Sequence, residues 1–234
     1  CGSSKGIGVH KNGAFAEYLV LPESNIWPIS DDISSEIASF FDPFGNAVHS
    51  INCFNIMGED LLITGAGPIG LISVAICKLM RVKNIVITDI NDYRLNLAKE
   101  LGATKTINTK KDSIKNCFDE LNIKHGFDVG LEMSGNGQAF NEMLSSIYHG
   151  GKIVLLGLLP KSTCIDWDNI IFKGLQVRGV YGREMYETWY KMDQLIKSGL
   201  DLSKVITHKF SISSFDEAFK VISSGQCGKI IMEW

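Results

Sequence analysis

LLITGAGPIGLISVAICKLMRVKNIVITD, residues 61–89, decides how this chain folds. It opens with an apolar run, 61–64, of the length of a buried strand. Gly65, Gly67 and Gly70 follow in the spacing G-x-G-x-x-G, an apolar helix-length segment runs to about Met80, and a β-branched run, 85–88, ends in Asp89. Strand, glycine turn, helix, strand and carboxylate in that order are the parts of a dinucleotide-binding βαβ unit. Gly65 makes the tight turn, Gly67 lets backbone approach a pyrophosphate, and Gly70 lets the helix pack against the sheet. Pro68 suits the first helical turn, where its missing N–H would be unpaired anyway. The pyrophosphate belongs on the free N–H groups of the helix start, which the macrodipole also makes attractive to anions. Asp89 lies 24 residues after Gly65, where an acid accepts hydrogen bonds from ribose hydroxyls. A glycine turn that binds nothing is the plain alternative. A membrane span is rejected, because three glycines and Pro68 break the run.

Downstream, the pattern repeats. Residues 92–101 are amphipathic with Gly102 placed to end the helix, 103–108 is a third strand, and 112–121 another helix. Residues 127–133 are a buried strand, 139–148 a helix, and Gly150-Gly151 turns the chain into a strand at 152–158. A strand at 175–181 precedes a helix at about 183–198. At least six strands alternating with helices make an α/β fold with a doubly wound parallel sheet, the Rossmann arrangement.

Upstream, residues 1–42 do not continue that pattern. Short β runs at 6–9 and 14–21, joined at Lys11-Asn12-Gly13, suggest antiparallel pairing. Ser34, Ser35 and Glu36 offer a helix start before 37–41, Asp42-Pro43 breaks the pattern, and 44–54 resumes as an apolar helix carrying His49. The tail, 201–234, reads strand, helix, strand, at 206–210, 215–224 and 229–233. The expected division is 1–42 and 201–234 as parts of a second domain flanking a dinucleotide domain at 43–200.

The 234 residues are 45% hydrophobic and 21% charged, an ordinary globular composition. A net charge of −3 gives no reason to expect nucleic acid or an anionic membrane as partner. The six cysteines (Cys1, Cys53, Cys77, Cys117, Cys164, Cys227) are widely spaced without a C-x-x-C pair, and no secretory leader is seen, so a cytoplasmic setting is expected. The chain opens on Cys1 rather than Met and reads as the remainder of something longer.

The phrases GAFAEYLVLP, FDPFGNAVH, GAGPIG, VITDINDYRLNLAKELGA, GFDVGLEMSG, HGGKIVLLGL, IDWDNIIFKGL, VYGREMYETWYKM and GLDLSKVITHKFSI cover nearly the whole chain. In them the chain resembles the zinc-dependent medium-chain dehydrogenases, most of all the threonine-oxidising branch. The resemblance implies flanking pieces of a GroES-like β domain and hydride transfer from the secondary alcohol of L-threonine to NAD. It also implies zinc in the intact protein and a homo-oligomer (a homotetramer). Ile69 should contact the pyrophosphate through its backbone, Asp89 the ribose, and Arg94 the adenosine. Leu156, Gly157, Leu158, Val180 and Tyr181 should line the nicotinamide side; for the leucines and Val180, plain core is the other reading. Cys1 matches one structural-zinc cysteine of a site that is incomplete here. The family carries an N-terminal segment with most of the catalytic zinc ligands, and this chain lacks it. Relatives often have Gly-Ala where this chain has Arg81-Val82, so the helix should end without a left-handed glycine.

Asp42 is the candidate catalytic residue. Pro43 should force it extended, and it either caps the helix at Gly45 or Asn46 or, as in the family, faces the zinc site and passes the proton of the alcohol. His49 reads as a satisfied core histidine and His149 as a residue at a helix C-terminus. Two other functions stay open, a polyol or secondary-alcohol dehydrogenase on this scaffold and a cofactor-binding, oligomerising module without activity.

Overall fold

Leu61, Leu62 and Ile63 are fully buried, and they face two ways. Leu61 and Ile63 join one apolar cluster and Leu62 the other, as the period of two along a strand requires when both faces of the sheet are covered. The strand that carries them, β1 (Asp60–Thr64), leads through the glycine turn to α3 (Pro68–Leu79) and then to β2 (Asn84–Asp89). In this computed structural model, which describes residues 5–234, two short helices come first, α1 (Ser35–Ala38) and α2 (Phe41–Ile51). The chain continues through α4 (Asp92–Glu100), β3 (Lys105–Asn108), α5 (Cys117–Leu121), β4 (Phe127–Glu132) and α6 (Gly137–Ser146). It then runs through β5 (Ile147–Leu155), α7 (Trp167–Phe172), β6 (Gln176–Gly179) and α8 (Glu187–Lys197). The tail is β7 (Ile206–Ser211), α9 (Phe215–Ser224) and β8 (Lys229–Glu233).

Six strands form one parallel sheet in the order β3-β2-β1-β4-β5-β6, the doubly wound order with its reversal between β1 and β4. One cluster packs α2, α3 and part of α8 against the sheet through Phe44, Val48, Leu71, Ile72 and Met192. The other packs α6 through Phe140, Met143 and Leu144 against Leu62, Val86, Phe127 and Ile153. Each such side chain contributes about 1.5–3 kcal/mol by leaving water. The tail makes its own parallel pair, β7 with β8, and the apolar residues Phe215, Phe219 and Ile222 of α9 are nearly half exposed. No helix among the described residues is long and apolar enough to cross a membrane.

The structure departs from the sequence reading at several ends. The runs 6–9 and 14–21 form no strand; an isolated parallel bridge joins Ile7 and Lys11, and Val9, Tyr18 and Val20 are 80%, 87% and 94% exposed. A two-stranded ribbon with neither face covered has little to hold it. Pro43 does not break a helix but occupies the first turn of α2, where its missing N–H forfeits no bond, so Asp42 is helical rather than extended. Helix α6 stops at Ser146, and β5 starts at once, passing through Gly150-Gly151 with a register shift against β4. Lys173 Nζ donates to the carbonyls of Leu144, Ser145 and Ile147 at 2.8, 2.9 and 3.0 Å, which satisfies that helix end. His149 therefore lies exposed in β5 and is no helix terminus. Helix α7 has no counterpart in the sequence reading, and α8 begins only at Glu187, after Tyr186 at φ 66°.

Candidate functional site

The crevice at the C-terminal ends of β1 and β4 is where the strand order reverses, the place where open parallel sheets take ligands. Gly65 leaves β1 at φ 89°, and a Cβ there would stand 2.9 Å from Ser134 Cα. Gly67 opens α3 with no side-chain cap, and a Cβ on it would meet nothing within 4 Å. A Cβ on Gly70 would lie 2.0 Å from the Gly65 carbonyl oxygen, so only glycine lets the helix come this close. Pro68 and Ile69 are the first two helical residues. An uncapped helix start beneath open space fits a pyrophosphate held on backbone N–H groups.

Asp89 ends β2, and its carboxylate does local work. One oxygen accepts from the Ala66 N–H at 2.7 Å, across the glycine turn; the other accepts from Ile90 and Asn91 at 2.7 and 2.9 Å. Asn91 caps α4 by accepting from Tyr93 and Arg94 and donates to the Gly225 carbonyl at 2.9 Å. Arg94 Nε donates to the Cys227 carbonyl at 3.2 Å. Asp89 and Arg94 share an open groove of about 550 Å³ with Tyr93, Lys110 and Gln226. The tail thus supplies one wall beside two of the expected cofactor residues.

The other expected residues lie at the same edge of the sheet. Leu156, Gly157 and Leu158 follow β5; the N–H groups of Leu156 and Gly157 both donate to the Glu132 carbonyl at 3.1 Å, and Leu158 is 91% exposed. Val180 follows β6, donates to the Leu155 carbonyl at 2.9 Å and is buried, while Tyr181 is exposed. Residues scattered from 65 to 181 are thereby brought to one edge.

Asp42 is exposed at the start of α2, where it makes no capping bond and pairs with the Arg183 guanidinium. Arg183 lies against the Trp189 ring, 5.4 Å from its centre, and a Cβ on Gly45 would stand 2.8 Å from Arg183 Cδ. Trp27, Ile29, Ala38 and Phe41 complete a groove of about 290 Å³ around this pair. His49 Nδ1 donates to the Gly182 carbonyl at 3.0 Å, and its Nε2 lies 3.8 Å from Glu184, so α2 is bonded to the segment after Val180.

Sequence reading missed two residues here. Glu132, fully buried at the end of β4, was visible as an acid closing an apolar strand. Arg183 carried no signal, because its partner is 141 positions away. The five described cysteines are free; burial pushes the Cys117 thiol up to about 11, and that of Cys77 higher, so neither is a ready nucleophile. Cys1 lies outside the described residues. Among the described residues no group of three or more His, Cys, Asp or Glu could hold a metal, so a zinc ion does not fit the described residues by themselves.

Residues 68–198 match the family described as zinc-binding dehydrogenase. Over all 234 residues the chain is 57% identical to a Chromobacterium violaceum protein named L-threonine 3-dehydrogenase, of which it spans 69%. It is 56% identical to one of the same name from Stenotrophomonas maltophilia, spanning 68% of it. Among solved structures, it is similar to an Escherichia coli alcohol dehydrogenase complexed with NADH, at 26% identity and TM-score 0.90, covering 100% of this chain and 70% of that one. A 2R,3R-butanediol dehydrogenase from Bacillus subtilis shares the fold, at 23% identity and TM-score 0.87, covering 97% and 66%.

Proposed function

This chain belongs to the zinc-binding dehydrogenase family, and we propose that it carries the NAD-binding portion of an L-threonine 3-dehydrogenase. The reaction is oxidation of L-threonine to 2-amino-3-oxobutanoate, in a cytoplasmic homo-oligomer. The observation that carries the cofactor half is Asp89, which braces the glycine turn at Ala66 and lines the groove beside Arg94. When bound, NAD supplies a hydride acceptor. The backbone N–H groups from Ile69 onward hold the pyrophosphate, Asp89 takes the ribose hydroxyls, and Leu156 to Leu158 with Val180 and Tyr181 orient the nicotinamide end. Zinc enters only as the family name implies it, and the steps assigned to this chain do not run through it. The division at residues 42 and 200, with the flanking pieces as parts of a second domain, belongs to the same proposal.

Asp89 selects NAD over NADP. A 2′-phosphate would meet its carboxylate, and two unit charges at ~4 Å repel by about 4 kcal/mol at an effective dielectric near 20. Calorimetric titration should give NAD the tighter binding by at least about tenfold; equal or tighter NADP would refute the assignment. Asp42, held by Arg183, is the residue assigned to proton transfer. In the active enzyme Asp42→Asn should lower kcat at least about tenfold while NAD affinity stays put. Normal turnover would leave Asp42 as a partner for Arg183 alone.

A further inference from the structure

Glu132 is a buried carboxylate at the strand-order reversal itself. Its Oε1 accepts from the N–H groups of Ser134 and Gly135 at 2.9 and 3.0 Å, from the Thr64 hydroxyl at 3.3 Å and from the Ser134 hydroxyl. Oε2 also accepts from the Gly135 N–H, at 3.3 Å, and a Cβ on Gly157 would stand 2.2 Å from it, so this oxygen fills the space beneath that glycine. The two backbone N–H groups can only donate to it, and the two hydroxyls can turn to do the same. Yet none of the ion pairs among the described residues includes it.

A buried charge without a cation is costly. A glutamine would keep one acceptor oxygen for these donors but lose the one that meets the Gly135 N–H at 3.3 Å, and it would carry no charge. What the charge adds is an attraction for a cation in the crevice above it. The nicotinamide ring is cationic in NAD and neutral in NADH.

We infer that Glu132 tunes the crevice toward the oxidised cofactor, holding the cationic ring more tightly than the neutral one through its field. This rests on the proposed reading of residues 156–158 and 180–181 as the nicotinamide end. Glu132 acts beneath Gly157 and is a specificity residue for redox state rather than a group that transfers anything.

The test is the ratio of dissociation constants for NAD and NADH, measured by calorimetry on this chain and its variants, with a thermal melt of each. Glu132→Gln should weaken NAD relative to NADH by at least about fivefold. Glu132→Asp keeps the charge and should hold the ratio within about twofold of native, whatever happens to each affinity. If Glu132→Gln does not fold, Ser134→Ala carries the test: one donor fewer leaves the charge less compensated, and NAD should gain on NADH. An unchanged ratio in a folded Glu132→Gln, or in Ser134→Ala should that be the variant used, overturns the inference while the cofactor reading stands. Failure of the native chain to bind either form overturns both.

Discussion

Glu59 precedes β1 at the N-terminal edge of the sheet, away from the crevice. Burial raises its pKa above the ordinary value of 4.5; the charge of Asp128 and a hydrogen bond with it push the same way, and Lys152 opposes them. A raised folded pKa means that the folded state holds its proton longer than the unfolded state. The stability this contributes is full below pH 4.5 and is lost as pH rises through the folded value. Glu59→Gln should therefore melt higher than the native chain at pH 7, with the gap closing toward pH 4; a gap that is equal at both would show that neither burial nor Asp128 raises this carboxyl. Single residues were legible where local order marks them. Asp89 stood out because an acid closes an apolar strand at the right distance from a glycine turn. Asp42 was picked out, but its conformation was misread, since Pro43 can start a helix as readily as stop one. Its bond to Arg183 has no trace in the sequence around either residue.

At the scale of elements, the centres were legible and the ends were not. Apolar runs and 3.6-residue patterns locate the strands and long helices, because burial of whole faces decides them. Ends are decided by single bonds, as where Lys173 reaches back to close α6 and lets β5 start four residues before Gly151. The end of α3 shows the same thing with a measurable cost. The turn keeps left-handed geometry although glycine is absent: Arg81 takes φ 59°, and Val82 donates to the Cys77 carbonyl at 3.1 Å. A non-glycine residue there costs about 1–2 kcal/mol. Arg81→Gly should raise stability by about 1 kcal/mol, less whatever glycine costs in the unfolded chain, and the melting temperature by a few degrees. Denaturant titration with an unchanged slope checks it, and a destabilised variant would mean that the arginine side chain repays its backbone strain.

For the whole molecule, a doubly wound parallel sheet was readable from the alternation of elements, but what covers the outer surfaces was not. Strand β6 forms the outer edge of the sheet with all four residues exposed, and Trp167, Ile171 and Phe172 nearby are 61%, 69% and 78% exposed. An uncovered edge beside apolar side chains invites a second copy about a two-fold axis. Light scattering at high concentration should show a dimer or larger, and Val177→Lys, a charge on that edge, should shift it toward monomer; a native chain that is already monomeric sinks the proposal. The position of β1 has a different outcome. Thr64 lies between Thr88, made soon after it, and Glu132, which lies 68 residues further on. At about 5–20 residues per second of synthesis, Glu132 follows roughly 3–14 s later. For those seconds the strand destined for the middle of the sheet is an open apolar edge on a nascent chain. The interval between making β1 and making its second neighbour is thus set by strand order and ribosome speed, and no gain in native stability shortens it.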